Sequence, residues 1–138
     1  MRILALDIGD VRIGLAVSDV LGITANPVET YVRKKNDTEA DARYIADMAK
    51  RLSVERYVLG LPINMDGTEG PRVEKTREFA AVLASVSDIP IDYQDERLTT
   101  VTAERVLIEQ GVRREKRKEV IDKVAAVIIL RTYLDRKF

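Results

Sequence analysis

Residues Ile3-Leu4-Ala5-Leu6-Asp7-Ile8-Gly9-Asp10-Val11-Arg12-Ile13-Gly14-Leu15-Ala16-Val17 decide the fold. Two apolar runs flank a short polar turn, which reads as a hairpin of strands over residues 2–8 and 12–18. Asp7 closes the first run. A carboxylate buried without a partner costs on the order of several kcal/mol, so Asp7 calls for a cation, a set of donors or open water at its strand end. Two more acids sit in comparably apolar settings. Glu96 follows Ile89-Pro90-Ile91-Asp92-Tyr93, and Asp122 lies within Val120-Ile121-Asp122-Lys123-Val124-Ala125-Ala126. Three such acids point to a divalent-metal site. Taken singly, each has a plainer reading: Asp7 capping its own turn, Glu96 a surface acid beside Arg97, Asp122 pairing with Lys118 one helical turn back.

Working outward, residues 23–32 form a third extended segment, and Pro27 within it predicts a bulge or an edge position. Ala40, Tyr44, Ile45, Met48 and Leu52 recur at helical spacing, giving a helix over 37–52 with Asn36, Asp37 or Thr38 as its cap. A buried strand covers 56–60, and turn residues fill 61–70. Pro71 then opens a helix to about residue 86. A fifth strand spans 89–95. A helix over Ala103, Val106, Leu107 and Ile108 is expected, capped by Thr99 or Thr100 and ended by Gly111, and a last helix spans 117–134. Hairpin strands followed by βαβ crossovers predict an α/β domain over residues 1–138, with a mixed five-stranded sheet flanked by helices on both faces. In open α/β sheets sites form at strand C-terminal ends, where Asp7 and Glu96 both fall.

Composition narrows the chemistry. The chain has no cysteine and no histidine, so disulfides, thiolate zinc sites and imidazole bases are excluded. Oxygen ligands alone select Mg²⁺ or Mn²⁺ over zinc or copper. Formal net charge is zero, from 23 basic and 23 acidic residues, which argues against a purely electrostatic nucleic-acid binder. The charge is nonetheless uneven. Arg113, Arg114, Lys116, Arg117 and Lys118 crowd one segment, and Arg33-Lys34-Lys35 forms a smaller cluster; each is either a phosphate-holding patch or solvated loop charge. The apolar run Val124–Leu130 is too short to span a bilayer. Met1-Arg2 leads straight into the first strand instead of a signal-peptide core. No membrane association is expected, and the expected location is the cytoplasm.

Four segments in order resemble one family. They are Asp7-Ile8-Gly9 with Arg12-Ile13-Gly14-Leu15-Ala16, then Gly60-Leu61-Pro62-Ile63-Asn64-Met65-Asp66-Gly67, then Asp95-Glu96-Arg97-Leu98-Thr99-Thr100, and finally Asp122-Lys123-Val124-Ala125-Ala126-Val127-Ile128-Ile129-Leu130. The opening segment is similar to that of ribonuclease H-like folds. Together the four resemble the YqgF (RuvX) family, relatives of the RuvC Holliday-junction resolvases, over nearly the whole chain. The resemblance implies a ribonuclease H-like fold and a metal-dependent endonuclease acting on structured nucleic acid. Its implied substrate is the 5′ end of precursor 16S ribosomal RNA, with branched DNA as the alternative. Its catalytic and metal-binding acids map onto Asp7, Glu96 and Asp122, holding one or two Mg²⁺ or Mn²⁺ ions. The resolvase relatives end the strand after the first helix in an acid; here that strand ends at Gly60-Leu61-Pro62. Arg12 and Arg97 are expected either to contact the scissile phosphate or to form ion pairs. Asn64 and Thr99 position substrate or stabilise their own segments, and Arg113, Arg114, Lys116, Arg117 and Lys118 are candidates to grip backbone phosphates. Two other functions compete: a non-catalytic RNA-binding module of ribosome assembly and an actin-like ATPase. Either a monomer or a homodimer is expected; a resolvase that cuts two strands acts as a dimer.

Overall fold

The computed structural model describes residues 1–96 and 114–137, with side chains over 1–96 and 124–136. Its elements in chain order are β1 (Ile3–Ile8), β2 (Arg12–Ser18), β3 (Ala25–Val32), α1 (Thr38–Arg51), β4 (Arg56–Leu61), α2 (Pro71–Val86), β5 (Ile91–Asp95) and α3 (Arg114–Lys137). The helix expected between Thr99 or Thr100 and Gly111 lies outside the described residues. Among those described, no helix is long and apolar enough to cross a membrane.

The sheet order is β3-β2-β1-β4-β5. β1 is central, antiparallel to β2 and parallel to β4, and β5 adds to β4 in parallel. The sheet is therefore mixed, as expected. The β1–β2 turn closes through the Gly9 N–H donating to the Arg12 carbonyl at 2.8 Å. A side chain at residue 9 would meet that carbonyl at 2.7 Å, so only glycine fits there. β3 is an edge strand whose register slips opposite Leu15 and Ala16, leaving Val28 as the extra residue. Pro27 thus occupies both settings its ring allows, an edge and a bulge.

Alternation along the strands divides the core in two. Leu4, Leu6, Leu15, Tyr57 and Leu59 pack beneath Ala42, Ile45 and Met48 of α1 and Phe79 and Leu83 of α2. Ile3, Ala5, Ala16 and Val58 pack on the other face beneath Ala126, Ile129, Leu130 and Tyr133 of α3. Small residues on both sides of this second contact let α3 lie close to the sheet. Tyr133 fixes its lie: the hydroxyl donates to Asp92 Oδ2 at 2.8 Å and accepts from Arg56 Nη1 at 2.9 Å. Those partners start β4 and β5, whereas Ile129 lies over Gly60 near the end of β4. α3 therefore runs antiparallel to β4, and its N-terminal half is carried toward the C-terminal ends of the strands.

Candidate active site

Asp7 is the last but one residue of β1, and Glu96 is the first residue after β5. Both stand at strand C-terminal ends. Ile3 and Ala5 face α3, so Asp7, two residues further on, faces the same side. Asp7 pairs with Gly14 of β2, and Leu6 pairs with Leu59 of β4, which sets Asp7 level with Gly60. Both neighbours of Asp7 across the sheet thus lack side chains. On β5, Gln94 pairs with Gly60, and the Glu96 N–H continues the ladder by donating to the Leu61 carbonyl at 3.0 Å.

Glu96 is 8% exposed, so it is not the surface acid of its plainer reading. Its carboxylate occupies the space that a residue-60 side chain would take. A Cβ on Gly60 would lie 2.8 Å from Glu96 Oε2 and 2.5 Å from Ile129 Cδ1. Among the described residues that Oε2 is buried without a hydrogen-bond partner, and so is Oε1 of Gln94. Burial, followed by the charge of Asp7, pushes the Glu96 carboxyl up to about 9; a hydrogen bond with Asp7 and the nearby Asp95 charge act the same way, and the Arg72 guanidinium opposes them. At neutral pH and without a cation, the Asp7–Glu96 pair therefore retains a proton.

Two neighbouring carboxylates, one of them buried, amount to a local deficit of positive charge. The donors are all hard oxygens, matching Mg²⁺ or Mn²⁺. The residues present fit such an ion. Asp122 lies in α3, and its side chain falls outside those described. Its position precedes the buried Ala125, Ala126 and Ile129 by three, four and seven residues, the spacing of one helical face. It is about 10 Å of helix N-terminal to Ile129, in the direction of the strand ends. Among the described residues no group of three or more acids gathers, so Asp7 and Glu96 are the described part of the expected triad.

The other candidates are distributed as follows. Arg12 opens β2, half-buried, two residues before Gly14 and hence on the Asp7 side of the sheet. Asn64 is exposed; its amide donates to Thr68 Oγ1 at 3.0 Å and its backbone bonds to Thr68 and Gly67. Asp66 accepts from the Thr68 N–H and hydroxyl at 3.0 and 2.6 Å and so staples the same loop. Asp10, in the β1–β2 turn, pairs across to Lys75 at 3.1 Å. Arg97, Thr99 and Arg113 lie outside the described residues. Arg114, Lys116, Arg117 and Lys118 begin α3, with side chains outside the description.

Three contributors escaped the sequence reading. Gly60 carried a usable signal, because glycine inside a strand marks close approach by another group. Gln94 follows from strand parity once Glu96 is placed. Arg72 had no signal, since only the tertiary fold brings the start of α2 to the end of β5.

Residues 1–136 match the model of the RuvX family, described as Holliday junction resolvase. A protein of Streptococcus thermophilus (strain ATCC BAA-491 / LMD-9) is 48% identical over 139 residues, covering all of both chains. One of Streptococcus pneumoniae (strain Hungary19A-6) is 49% identical with the same coverage. Both carry the name "Putative pre-16S rRNA nuclease". Among solved structures, T. thermophilus RuvC in complex with Holliday junction substrate superposes with a TM-score of 0.60 at 15% identity, covering 99% of this chain and 95% of that one. The Fowlpox virus resolvase in complex with substrate Holliday junction DNA gives 0.59 at 16%, covering 99% and 98%. These two likenesses show the shared ribonuclease H-like fold. With the mixed sheet, the acids at its strand ends and a family match over nearly every residue, the chain belongs to the RuvX family.

Proposed function

We propose that this chain is a divalent-metal-dependent endonuclease that hydrolyses phosphodiester bonds in structured nucleic acid, with precursor 16S ribosomal RNA as its substrate. The observation that carries the reading is the pairing of half-buried Asp7 with buried Glu96, whose Oε2 meets no hydrogen-bond donor among the described residues. Asp7, Glu96 and Asp122 would hold Mg²⁺ or Mn²⁺, one ion or two. Such an ion stabilises the charge that builds on a scissile phosphate and eases deprotonation of the attacking water.

The chain's own residues supply the rest. Asp7 is fixed on the central strand, so its carboxylate needs no reorganisation when substrate arrives. Glu96 is held by the β5 ladder and walled by Gly60 and Ile129, which exclude water from one side of the pair. Arg72 is exposed at the start of α2 and sets a positive charge beside the acids, suited to a phosphate oxygen. RNA ranks first because relatives 48–49% identical bear the ribosomal-RNA name. Branched DNA is the second reading, favoured by the family description and by the resolvase fold.

The test is cleavage of precursor 16S RNA and of a four-way DNA junction, side by side, in Mn²⁺. The wild-type chain is expected to cut the RNA, and Asp7→Asn to cut about a hundredfold more slowly or not at all. Undiminished cleavage by a folded Asp7→Asn chain would falsify the mechanism. Cleavage of the junction alone would replace RNA by branched DNA.

A further inference from the structure

On the opposite side of the β1–β2 turn from the acid pair lies a groove of about 780 Å³. Arg33, Lys34, Lys35 and Lys75 line it, against the acids Asp10 and Glu78. Its cationic wall is a built feature. Asp41, fully buried in α1, accepts from Tyr31 Oη, Arg33 Nε and the Lys34 N–H, each at 2.9 Å. Arg33 also donates through Nη1 to the Gly9 carbonyl at 2.9 Å and lies 5.4 Å over the Phe79 ring. The segment leaving β3 is thereby locked to the turn that follows Asp7. Asn36 then bends back at φ 58°, and Lys34 and Lys35 are left exposed with their charges outward. Lys75 reaches across from α2 to Asp10 in a pair that is 60% and 75% exposed, weak enough to open for a stronger anion.

We propose that this groove carries the phosphate backbone of the strand flanking the scissile bond, with Lys34, Lys35 and Lys75 as its phosphate contacts. The inference rests on the nuclease reading for its placement. Asp10 follows Asp7 by three residues, so their Cα atoms are at most about 11 Å apart. A strand leaving the acid pair over the end of the sheet reaches the groove within about two nucleotides. Lysine ammoniums act as point charges for phosphate oxygens and carry no base selectivity. Among the described residues the groove offers no free aromatic face for a base, because Phe79 is buried and Arg33 covers it. Its occupant is therefore a backbone, read without regard to sequence, and not a stacked nucleotide.

The test uses the full chain in EDTA, where nothing is cut, and a fluorescein-labelled single-stranded RNA of about twelve nucleotides. Anisotropy is measured across a salt series. Lys34→Gln with Lys35→Gln is expected to weaken binding about tenfold at 0.1 M salt and to lower the log–log salt slope by about 1.4, the share of two phosphate contacts on a single strand. Glu78→Lys, which adds a cation to the same wall, is expected to tighten binding and steepen the slope. Wild-type affinity and slope in the folded double-glutamine chain overturn the proposal. So does a wild-type chain that binds no RNA, or one that binds AMP saturably with no dependence on RNA length. Cleavage of precursor 16S RNA in Mg²⁺ is followed separately. No cleavage with a lowered slope rejects the nuclease and keeps the groove; cleavage with an unchanged slope does the reverse.

Discussion

A methyl group added at residue 60 would enter space already held by Ile129 Cδ1 at 2.5 Å and Glu96 Oε2 at 2.8 Å. Ile129 is locked in the α3 contact, so the carboxylate is the group that gives way. Gly60→Ala is expected to lower Mn²⁺ affinity by about 10–100-fold and stability by about 1–3 kcal/mol. A titration and a thermal melt measure the two effects, and an unchanged affinity contradicts this role for Gly60. The raised Glu96 carboxyl also makes stability depend on pH. The native chain keeps a proton that the unfolded chain releases near the ordinary glutamate value. In metal-free protein this contribution is therefore fully present below about 4.5 and is lost as pH rises toward about 9. Glu96→Gln is expected to flatten that fall in melting temperature; an equal fall in the variant would show that other groups cause it. At this scale the sequence exposed the acids, because a carboxylate in an apolar run stands out by type alone. It did not expose the burial of Glu96 or the roles of Gly60 and Arg72. Those depend on which groups meet across strands and helices far apart in the chain.

Elements were legible where their periodicity is strong. The hairpin, α1 with its Asp37 cap, β4 and the Pro71 start of α2 all lie where patterning places them. The ends were less legible. β5 begins at Ile91, two residues after the apolar run starts, because Pro90 has no N–H for the ladder and only its carbonyl engages Tyr57. α3 extends from Arg114 to Lys137, beyond the 117–134 expected, since its outer turns are charged and carry no apolar period. Asp41 shows what holds one element to the next. Burial, with the Asp41 carboxylate beside it, pushes the Tyr31 hydroxyl up to about 12, so it remains a donor over the working range. Asp41→Ala would strand half-buried Arg33 and leave Tyr31 and the Lys34 N–H without their acceptor. A loss of about 3–5 kcal/mol is expected. Urea denaturation checks it, through a lower midpoint at unchanged slope, and an unchanged midpoint contradicts the hub.

Over the whole molecule, the two faces of the sheet have separate tasks. α1 and α2 cover the larger core and brace the cationic segment after β3. α3 lies close on the other face, and its position over Gly60 closes one side of the acid pair. Both tasks meet at the C-terminal edge of β1, β4 and β5, as open α/β sheets dictate. In the nuclease reading proposed above, carboxylates gathered at this edge hold a hard divalent ion in place of a shared proton. Calorimetric titration of Mn²⁺ at about pH 7.5, in two buffers of different ionisation heat, tests it directly. The wild-type chain should bind Mn²⁺ and release about one proton per ion. Glu96→Gln should lose that release and bind more than about tenfold more weakly. A wild-type chain that takes up no Mn²⁺, or a Glu96→Gln chain with equal affinity and equal proton release, contradicts metal binding by these carboxylates.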